Sequence, residues 1–259
     1  MSSPYLGTGV ALITGSAQGI GKAIALRLAK DGFDVVLNDI TSQTKLDQLR
    51  EVEQEIQRSF GRKTAIVMAD VSDEEEVKRL VDQTVGTLGG LDVMVANAGV
   101  CPSVPMIEKT WERAFAVNVR GTFLCYKYAA IQMIKQGRGG RIIGACSSAG
   151  KQGRPNSMAY SATKFAVRGM TQSAAWEVAK HGITVNAYAP GPIETEMIFQ
   201  LIEDKKRIDP SFSPAQWDCP TGRMGQAEEV AALVSFIASK DSNYITGKFK
   251  FCLNYDASH

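Results

Sequence analysis

The sequence predicts a single α/β domain built on a doubly wound parallel sheet. Short apolar runs alternate with longer helical segments along the chain, and a cluster of glycines joins the first apolar run to the first helical segment. The 259 residues show no Pro/Gly/Ser-rich linker and no shift in composition. Because a chain of this length can bury a sizeable core, we expect one domain over residues 1–259.

Six short apolar runs predict the strands. They have the continuous apolar character that a sheet buried on both faces requires. The predicted strands span residues 10–14, 34–38, 64–68, 91–96, 141–146 and 184–189. A last strand is expected at the alternating Phe249 and Phe251.

Two segments between the strands carry signals of their own. Ser72-Asp-Glu-Glu has a capping-box pattern, which predicts a helix start just after Asp70 and Val71. Residues 194–221 contain prolines at 210, 214 and 220 and fit the alternation poorly. Since this segment follows a strand end, we expect a substrate-covering lid there.

The glycine cluster follows the first predicted strand directly, as Thr14-Gly-Ser-Ala-Gln-Gly-Ile-Gly. Glycines at such a turn allow a tight bend and a close backbone approach to a pyrophosphate, while the helix N-terminus offers free amides to the anion. A plain structural turn is the alternative. The position at the start of a βαβ unit favours a Rossmann-type dinucleotide site. Its expected cofactor contacts are Gly15, Gln18, Gly19, Ile20 and Gly21.

Asp39 stands eighteen residues beyond Gly21, at the end of the second predicted strand. A carboxylate at this place accepts hydrogen bonds from a ribose diol and repels a 2′-phosphate. Asn38 and Ile40 flank it, so no adjacent Arg or Lys is available to clamp a phosphate. We therefore expect NAD(H) rather than NADP(H). An aspartate that only caps a loop is the alternative.

Tyr160 and Lys164 stand four residues apart, and Ser147 lies thirteen positions before the tyrosine. A helix places residues i and i+4 on one face, so an ammonium can lie beside a phenol and favour its ionised form. Ser147 closes a predicted strand, so the strand end and the helix face can meet. The second Tyr-x-x-x-Lys, at Tyr244 and Lys248, has an alanine thirteen positions before it and no hydroxyl partner.

Composition argues against several other classes of function. The formal net charge of +2 comes from 29 basic and 27 acidic residues spread without long runs, so neither a nucleic-acid surface nor a polybasic membrane patch is indicated. No apolar stretch approaches the roughly 20 residues that cross a bilayer, and the N-terminus lacks a signal-peptide pattern. Five scattered cysteines and two histidines predict neither a disulfide frame nor a metal site. We expect a cytoplasmic protein with a small-molecule partner.

Taken together, these residues resemble the short-chain dehydrogenase/reductase family, and the resemblance covers nearly the whole chain. The matching motifs are Thr14 to Gly21, Asp70-Val71, Asn97-Ala98-Gly99, Asn118 to Gly121, the set Ser147, Tyr160 and Lys164, and Pro190 to Thr195. The resemblance implies hydride transfer between C4 of a nicotinamide and a carbinol carbon. It also implies that the cofactor contacts Asp70, Val71, Asn97, Ala98, Gly99, Tyr160, Lys164, Pro190, Gly191, Ile193 and Thr195.

The resemblance assigns roles to the expected catalytic residues Asn118, Ser147, Tyr160 and Lys164. Tyr160 would transfer the proton, and Ser147 would donate to the substrate oxygen. Lys164 would also hold the nicotinamide ribose, and the main-chain carbonyl of Asn118 would hold a water leading to that lysine. The alternative for Asn118 is a solvated polar residue, and for Asn97 a cap on the fourth strand.

Within the family, the segments 19–33, 145–147 and 165–172 resemble those of the diacetyl/acetoin reductases, or 2,3-butanediol dehydrogenases. Those enzymes usually have a glutamine at the position of Ser148 and a tryptophan at that of Ile198, both near the substrate. These two differences imply a less polar or roomier substrate pocket, to which Ser147 would also contribute. Rival functions are a dehydrogenase for a bulkier ketone or secondary alcohol, a 3-oxoacyl-carrier-protein reductase, and a catalytically idle nucleotide sensor.

The tail departs from the family pattern. Relatives usually end in a strand and Asp-Gly-Gly, whereas this chain continues as Lys248-Phe-Lys-Phe-Cys-Leu-Asn-Tyr-Asp-Ala-Ser-His. Many relatives build a tetramer interface with this region. Small residues in the predicted helix 158–180 would let partner helices approach closely, so we expect a homodimer through helices 111–136 and 158–180, or a homotetramer.

Overall fold

Parallel strands form the centre of the computed structural model, which describes residues 9–102, 111–153, 155–216 and 219–251. Within these ranges the strands are β1 (Val10–Ile13), β2 (Asp34–Leu37), β3 (Thr64–Ile66), β4 (Val93–Ala96), β5 (Gly140–Ala145), β6 (Ile183–Ala189) and β7 (Phe249–Phe251). The α-helices are α1 (Gly19–Lys30), α2 (Gln43–Phe60), α3 (Glu74–Leu88), α4 (Trp111–Phe115), α5 (Thr122–Gln136), α6 (Met158–Val178), α7 (Glu196–Ile208) and α8 (Ala227–Ala238).

The described strands form one sheet in the order β3-β2-β1-β4-β5-β6-β7, with every pairing parallel. The order reverses between β1 and β4, which is where doubly wound sheets open a crevice at the carboxyl ends of their strands. The predicted fold class, a doubly wound parallel sheet, is therefore confirmed. The last strand is also confirmed as β7, while residues 252–259 lie outside the described part.

Alternate residues of each strand enter separate hydrophobic cores on the two faces of the sheet, as the period of two requires. On one face, Ile13, Leu37 and Val95 pack with α1, α2 and α8. On the other face, Leu12 and Met94 pack with α3, α5 and α6. Because both faces are covered, the strands read as continuous apolar runs, and their carboxyl ends are held rigidly in one row.

Two helix boundaries differ from the sequence expectation. The N-cap of α3 is Asp73, whose side chain accepts from the backbone N–H of Glu76, so the expected capping box at Ser72 is wrong by one residue. The Ser72 hydroxyl instead donates to Asp70 at 2.7 Å. The predicted helix 111–136 is interrupted by a π-helix, Ala116–Gly121, between α4 and α5.

Residues 194–221 leave the end of β6 and return beside it. Glu194 N–H donates to the carbonyl of Gly225 at 2.9 Å, and Gly225 N–H donates to Pro192 at 3.0 Å. Between these points the segment contains α7, which the sequence did not predict, and a short 3-10 turn, Pro214–Gln216. Residues 217 and 218 are outside the described ranges, and the lid role of the segment stays a prediction.

No helix in the described ranges combines the length and apolar character needed to span a bilayer. The same ranges contain no group of three or more His, Cys, Asp or Glu side chains arranged to hold a metal ion.

Candidate active site

A cavity of about 320 Å³ lies at the carboxyl ends of the central strands. The sequence-predicted residues that line it are Gly15, Gln18, Gly19, Ile20, Gly21, Asp39, Asp70, Val71, Asn97, Ala98, Gly99, Tyr160, Lys164, Pro190 and Thr195. The sequence-predicted residues that do not line it are Asn118, Ser147, Ser148, Gly191, Ile193 and Ile198. The cavity thus collects residues from most of the chain's length into one site.

The glycine turn after β1 needs glycine for two different reasons. Gly15 and Gly19 have φ values of +65° and +57°, in the left-handed region that other residues avoid. A Cβ on Gly21 would lie 2.1 Å from the carbonyl oxygen of Gly15, so the helix could not pack against the turn. With no side chain at these points, the backbone and the start of α1 can approach an anion closely. The turn fits the pyrophosphate of a dinucleotide.

Asn97 holds this turn from the neighbouring strand. Its amide nitrogen donates to the carbonyls of Thr14 and Gly15 at 2.8 and 3.0 Å, and its amide oxygen accepts from the Tyr188 hydroxyl at 2.7 Å. The side chain is therefore engaged by protein groups although the residue lines the cavity. The side chain of Asn97 therefore caps and supports the turn, which is one of the two alternatives raised by the sequence.

Asp39 lines the cavity, and its carboxylate is bound by neighbouring backbone groups. One carboxylate oxygen accepts from the backbone N–H of Ala17 at 3.2 Å, and the other accepts from Ile40 N–H at 2.9 Å. The carboxylate thus ties β2 to the glycine turn while the residue lines the cavity. No basic residue is adjacent to Asp39 in the sequence, but the fold brings Lys45 into the same cavity from α2.

Asp70 and Val71 line the cavity after β3. Partial burial raises the pKa of Asp70, but hydrogen bonds from Ser72 and the charge of Arg113 outweigh this effect and leave the pKa below its usual value. Arg113 lies 3.3 Å from the carboxylate. Asp70 is therefore a fixed negative group at this end of the cavity.

Ser147, Tyr160 and Lys164 meet where the end of β5 faces α6. Ser147 is close enough to Tyr160 for its side chain to lower the pKa of the tyrosine. The Lys164 ammonium lies 5.4 Å from the centre of the Tyr160 ring and donates to the carbonyl of Ala145 at 2.9 Å. Lys164 is only 4% exposed. The geometry expected from the spacing of these three residues is thus present in the structure.

Burial has the largest effect on the ionisation of this group. It raises the pKa of Tyr160, the thiols of Cys101 and Cys146 add to the rise, and the Ser147 hydrogen bond opposes it. Burial also lowers the pKa of Lys164. The spacing of Tyr160 and Lys164 predicts that the ammonium favours the phenolate, whereas the surroundings within the protein favour the neutral phenol. At neutral pH Tyr160 therefore carries a proton that it can donate.

Asn118 is fully buried in the π-helix rather than in a regular helix. Its side chain exchanges hydrogen bonds of 2.9 and 2.8 Å with the backbone of Val100 and donates to the Thr163 hydroxyl at 3.1 Å. Its main-chain carbonyl accepts from Thr122 at 2.8 Å. The solvated alternative for Asn118 is wrong, because the residue joins the loop after β4 to α6, close to Lys164.

The other predicted residues lie around this centre. Ser148 begins a 3-10 turn and its N–H donates to Pro190 at 3.0 Å. Ile193 is buried, and Gly191 and Ile198 are half-buried. The N–H of Ile198 donates to Thr195 at 3.0 Å, which places Ile198 in the first turn of α7. These residues therefore follow the ends of β5 and β6.

Several cavity residues were missed by sequence reasoning. They include Lys45, Val100, Arg113, Val117, Cys146, Tyr188 and Met197. Lys45 and Arg113 lie in helices far along the chain from the glycine turn, and Tyr188 is an interior residue of a buried strand. Periodicity gives no signal for such positions, because only the packed fold brings them to the cavity.

The fold and the site define an α/β oxidoreductase that uses a nicotinamide cofactor. Residues 9–206 match the family model of the short chain dehydrogenases. The chain is 48% identical to a short-chain dehydrogenase/reductase of Armillaria gallica, over 92% of each chain. It is 43% identical to an (S)-acetoin-forming diacetyl reductase of Staphylococcus epidermidis, over 92% of this chain and 94% of the relative. The chain belongs to the short-chain dehydrogenase/reductase family, so the resemblance noted from its motifs is confirmed.

Similar solved structures give the same fold. The crystal structure of levodione reductase superimposes with a TM-score of 0.85 at 32% identity, over 93% of this chain and 95% of the other. A Beutenbergia cavernae protein with NADP bound at low occupancy has a TM-score of 0.85 at 30% identity, over 96% and 97%. The family uses nicotinamide cofactors, and these likenesses leave both NAD and NADP as candidates.

Proposed function

We propose that the protein is an NADH-dependent reductase of small α-diketones, reducing diacetyl and, more slowly, acetoin. The observation that carries this proposal is the meeting of Ser147, Tyr160 and Lys164 beside the cofactor cavity, with the buried Lys164 ammonium 5.4 Å from the centre of the Tyr160 ring. An idle nucleotide sensor would need no proton donor poised in this way.

The residues around the cavity have separate roles in carbonyl reduction. When bound, the nicotinamide supplies the hydride. Tyr160 then donates its proton to the carbonyl oxygen, while the Ser147 hydroxyl donates a hydrogen bond to the same atom. The Lys164 ammonium lies close enough to the ring to stabilise the phenolate that remains. Asn118 acts as a positioning residue, since it fixes the loop and helix on either side of Lys164.

The preference for NAD(H) is proposed from Asp39. Its carboxylate is fixed by two backbone amides at the carboxyl end of β2, where it can accept from ribose hydroxyls. A 2′-phosphate would bring a second negative charge to the same place. The cofactor contacts expected at Ile193 and Thr195 would hold the carboxamide at the other end of the cavity.

The substrate class is proposed from the relatives and from three residues of this chain, Ser147, Tyr160 and Ile198. A diacetyl reductase is among the similar proteins, and the structure of levodione reductase superimposes closely. Ser147 and Tyr160 converge on one oxygen, which suits a vicinal dicarbonyl because its second carbonyl withdraws charge from the attacked carbon. With Ile198 in place of the usual tryptophan, the pocket has room for a larger substituent.

The substrate proposal is tested by kcat/KM for NADH-dependent reduction of diacetyl, acetoin, 1-phenyl-1,2-propanedione and 2-butanone. We expect both diketones to exceed acetoin, and 2-butanone to be slowest. The Ile198→Trp variant should lose roughly tenfold for the phenyl diketone and keep diacetyl within about threefold, because the indole fills the space of the phenyl group.

A tenfold advantage of 2-butanone over every diketone would end the diketone proposal and leave a broader secondary-alcohol dehydrogenase. A second arm uses an acetoacetyl thioester with NADPH, because a Staphylococcus aureus 3-oxoacyl-(acyl-carrier-protein) reductase is 39% identical over 92% of this chain and 94% of its own. Turnover in that arm above the diketones would favour this rival.

The oligomeric state, the lid and the cellular location of the enzyme are also proposals. Phe123 and Ile131 of α5 and Phe165 of α6 are exposed apolar side chains, which favours a homodimer through these helices or a homotetramer. Residues 194–221 are proposed as the substrate-covering lid. A cytoplasmic location stays a prediction from the sequence.

A further inference from the structure

We propose that Lys45 binds the 2′-phosphate of NADP(H), so that the protein accepts NADP(H) as a second cofactor although Asp39 favours NAD(H). This inference rests on the proposed cofactor site and assigns a specificity-determining role to a residue six positions beyond Asp39. Lys45 is not adjacent to Asp39 in the sequence, so this role depends on how the fold places α2.

Lys45 lies in the first turn of α2 and points back to the glycine turn. Its N–H donates to the Ser42 hydroxyl that caps the helix, at 3.2 Å. Its ammonium donates to the side-chain amide oxygens of Gln18 at 2.8 Å and Gln48 at 3.1 Å. Lys45 and Gln18 both line the dinucleotide cavity, so the cation faces the space where the cofactor would lie.

Lys45 and Asp39 contact adjacent residues of the same turn. The Asp39 carboxylate accepts from the backbone of Ala17, and the Lys45 ammonium donates to the side chain of Gln18. The Asp39 carboxylate and the Lys45 ammonium therefore flank the turn. At this place a carboxylate would accept hydrogen bonds from the ribose hydroxyls of the adenosine. A 2′-phosphate that leaves Asp39 in place still has a cation to bind on the other side.

The charge of Lys45 has no carboxylate partner among the described residues, since no acidic oxygen in those ranges lies within 4.0 Å of it. Lys22 and Lys127, by contrast, are paired with Glu55 and Glu74 at 3.6 and 2.6 Å. The first turn of α2 contains no acidic residue either. The two amide oxygens satisfy the ammonium without neutralising it, so an added phosphate would gain a charge-assisted hydrogen bond.

The test compares the binding of adenosine 5′-monophosphate with that of adenosine 2′,5′-bisphosphate by titration calorimetry, because the two probes differ only in the 2′-phosphate. In Lys45→Met we expect affinity for the bisphosphate to fall about tenfold and affinity for the monophosphate to change less than twofold. Lys45→Arg should keep bisphosphate affinity within about threefold. Lys30→Met, which removes an exposed charge at the last turn of α1, is the matched control and should leave both affinities unchanged.

Equal weakening of both probes in Lys45→Met would overturn the proposal, because Lys45 would then only support Gln18 and the turn. Unchanged binding of both would overturn it as well. The corresponding kinetic result is a tenfold loss of kcat/KM for NADPH with NADH kept within twofold. The titrations need no substrate, so a failure of the diketone proposal would leave their outcome readable.

Discussion

The cofactor edge and the cover are held together in different ways. The cofactor edge comprises Gly15–Gly21, Asp39 and Asn97–Gly99, and the cover, named for its proposed role as a lid, comprises residues 194–216. At the cofactor edge, hydrogen bonds join residues more than 80 positions apart, such as Asn97 to Thr14 at 2.8 Å. In α7 of the cover, the ion pairs link residues three apart, and Ile202 is its buried residue.

The difference separates two kinds of variation. A change at the cofactor edge disturbs several strands at once, because each buried polar group there has partners from other parts of the fold. A change on the outer face of α7 disturbs mainly its own turn. Substitutions on the outer face of α7 can therefore leave the cofactor edge and the sheet intact.

The largest expected effect is on proton transfer by Tyr160, which lies between the two regions. Tyr160→Phe should lower kcat for diketone reduction by about 10²–10⁴-fold, since it removes the proton donor. NADH affinity, measured by fluorescence titration, should stay within a few fold because the cofactor edge is untouched. Tyr128→Phe, which removes a hydroxyl that donates to Glu74 away from the cavity, is the control. Retention of more than about a tenth of kcat in Tyr160→Phe would rule out the assignment.

A smaller effect, on cofactor preference, is expected from substitutions in the cofactor edge itself. The double change Asp39→Ala with Ile40→Arg should shift the ratio of kcat/KM for NADPH over NADH by roughly 10- to 100-fold, because it removes a like charge and adds a bidentate donor. Ile40→Arg alone should shift the ratio less. If the unmodified protein already used NADPH better than NADH, the role given to Asp39 would be wrong.

The smallest effect compares stability directly between the two regions. Tyr188→Phe leaves the Asn97 amide oxygen without its 2.7 Å donor and should lower the free energy of unfolding by about 1–3 kcal/mol. Phe199→Ala, at a side chain 49% exposed on α7, should change it by no more than about 0.5 kcal/mol. Chemical unfolding of both variants measures the contrast. Equal losses would show that the cover also stabilises the fold.

The sequence could predict the features that depend on local patterns, but not those that depend on contacts between distant segments. Apolar runs, the glycine turn and the spacing of Ser147, Tyr160 and Lys164 are local patterns, so they predicted the sheet and the central site geometry. The several partners of Asn97 and the approach of Lys45 depend on contacts between distant segments, which no local pattern encodes. The π-helix at Asn118 has no sequence signature of its own, since the same residues could form a regular helix.

That π-helix contacts both ends of the site within two turns. Val117 lines the cavity, Asn118 fastens the loop and helix beside Lys164, and a Cβ on Gly121 would lie 2.8 Å from the side chain of Val71. A methyl group added at Gly121 would push against the wall beside Asp70 and would strain the segment that positions Lys164. Remoteness from the reacting atoms is therefore a poor guide to tolerance in this enzyme, because one short segment spans the length of the dinucleotide site.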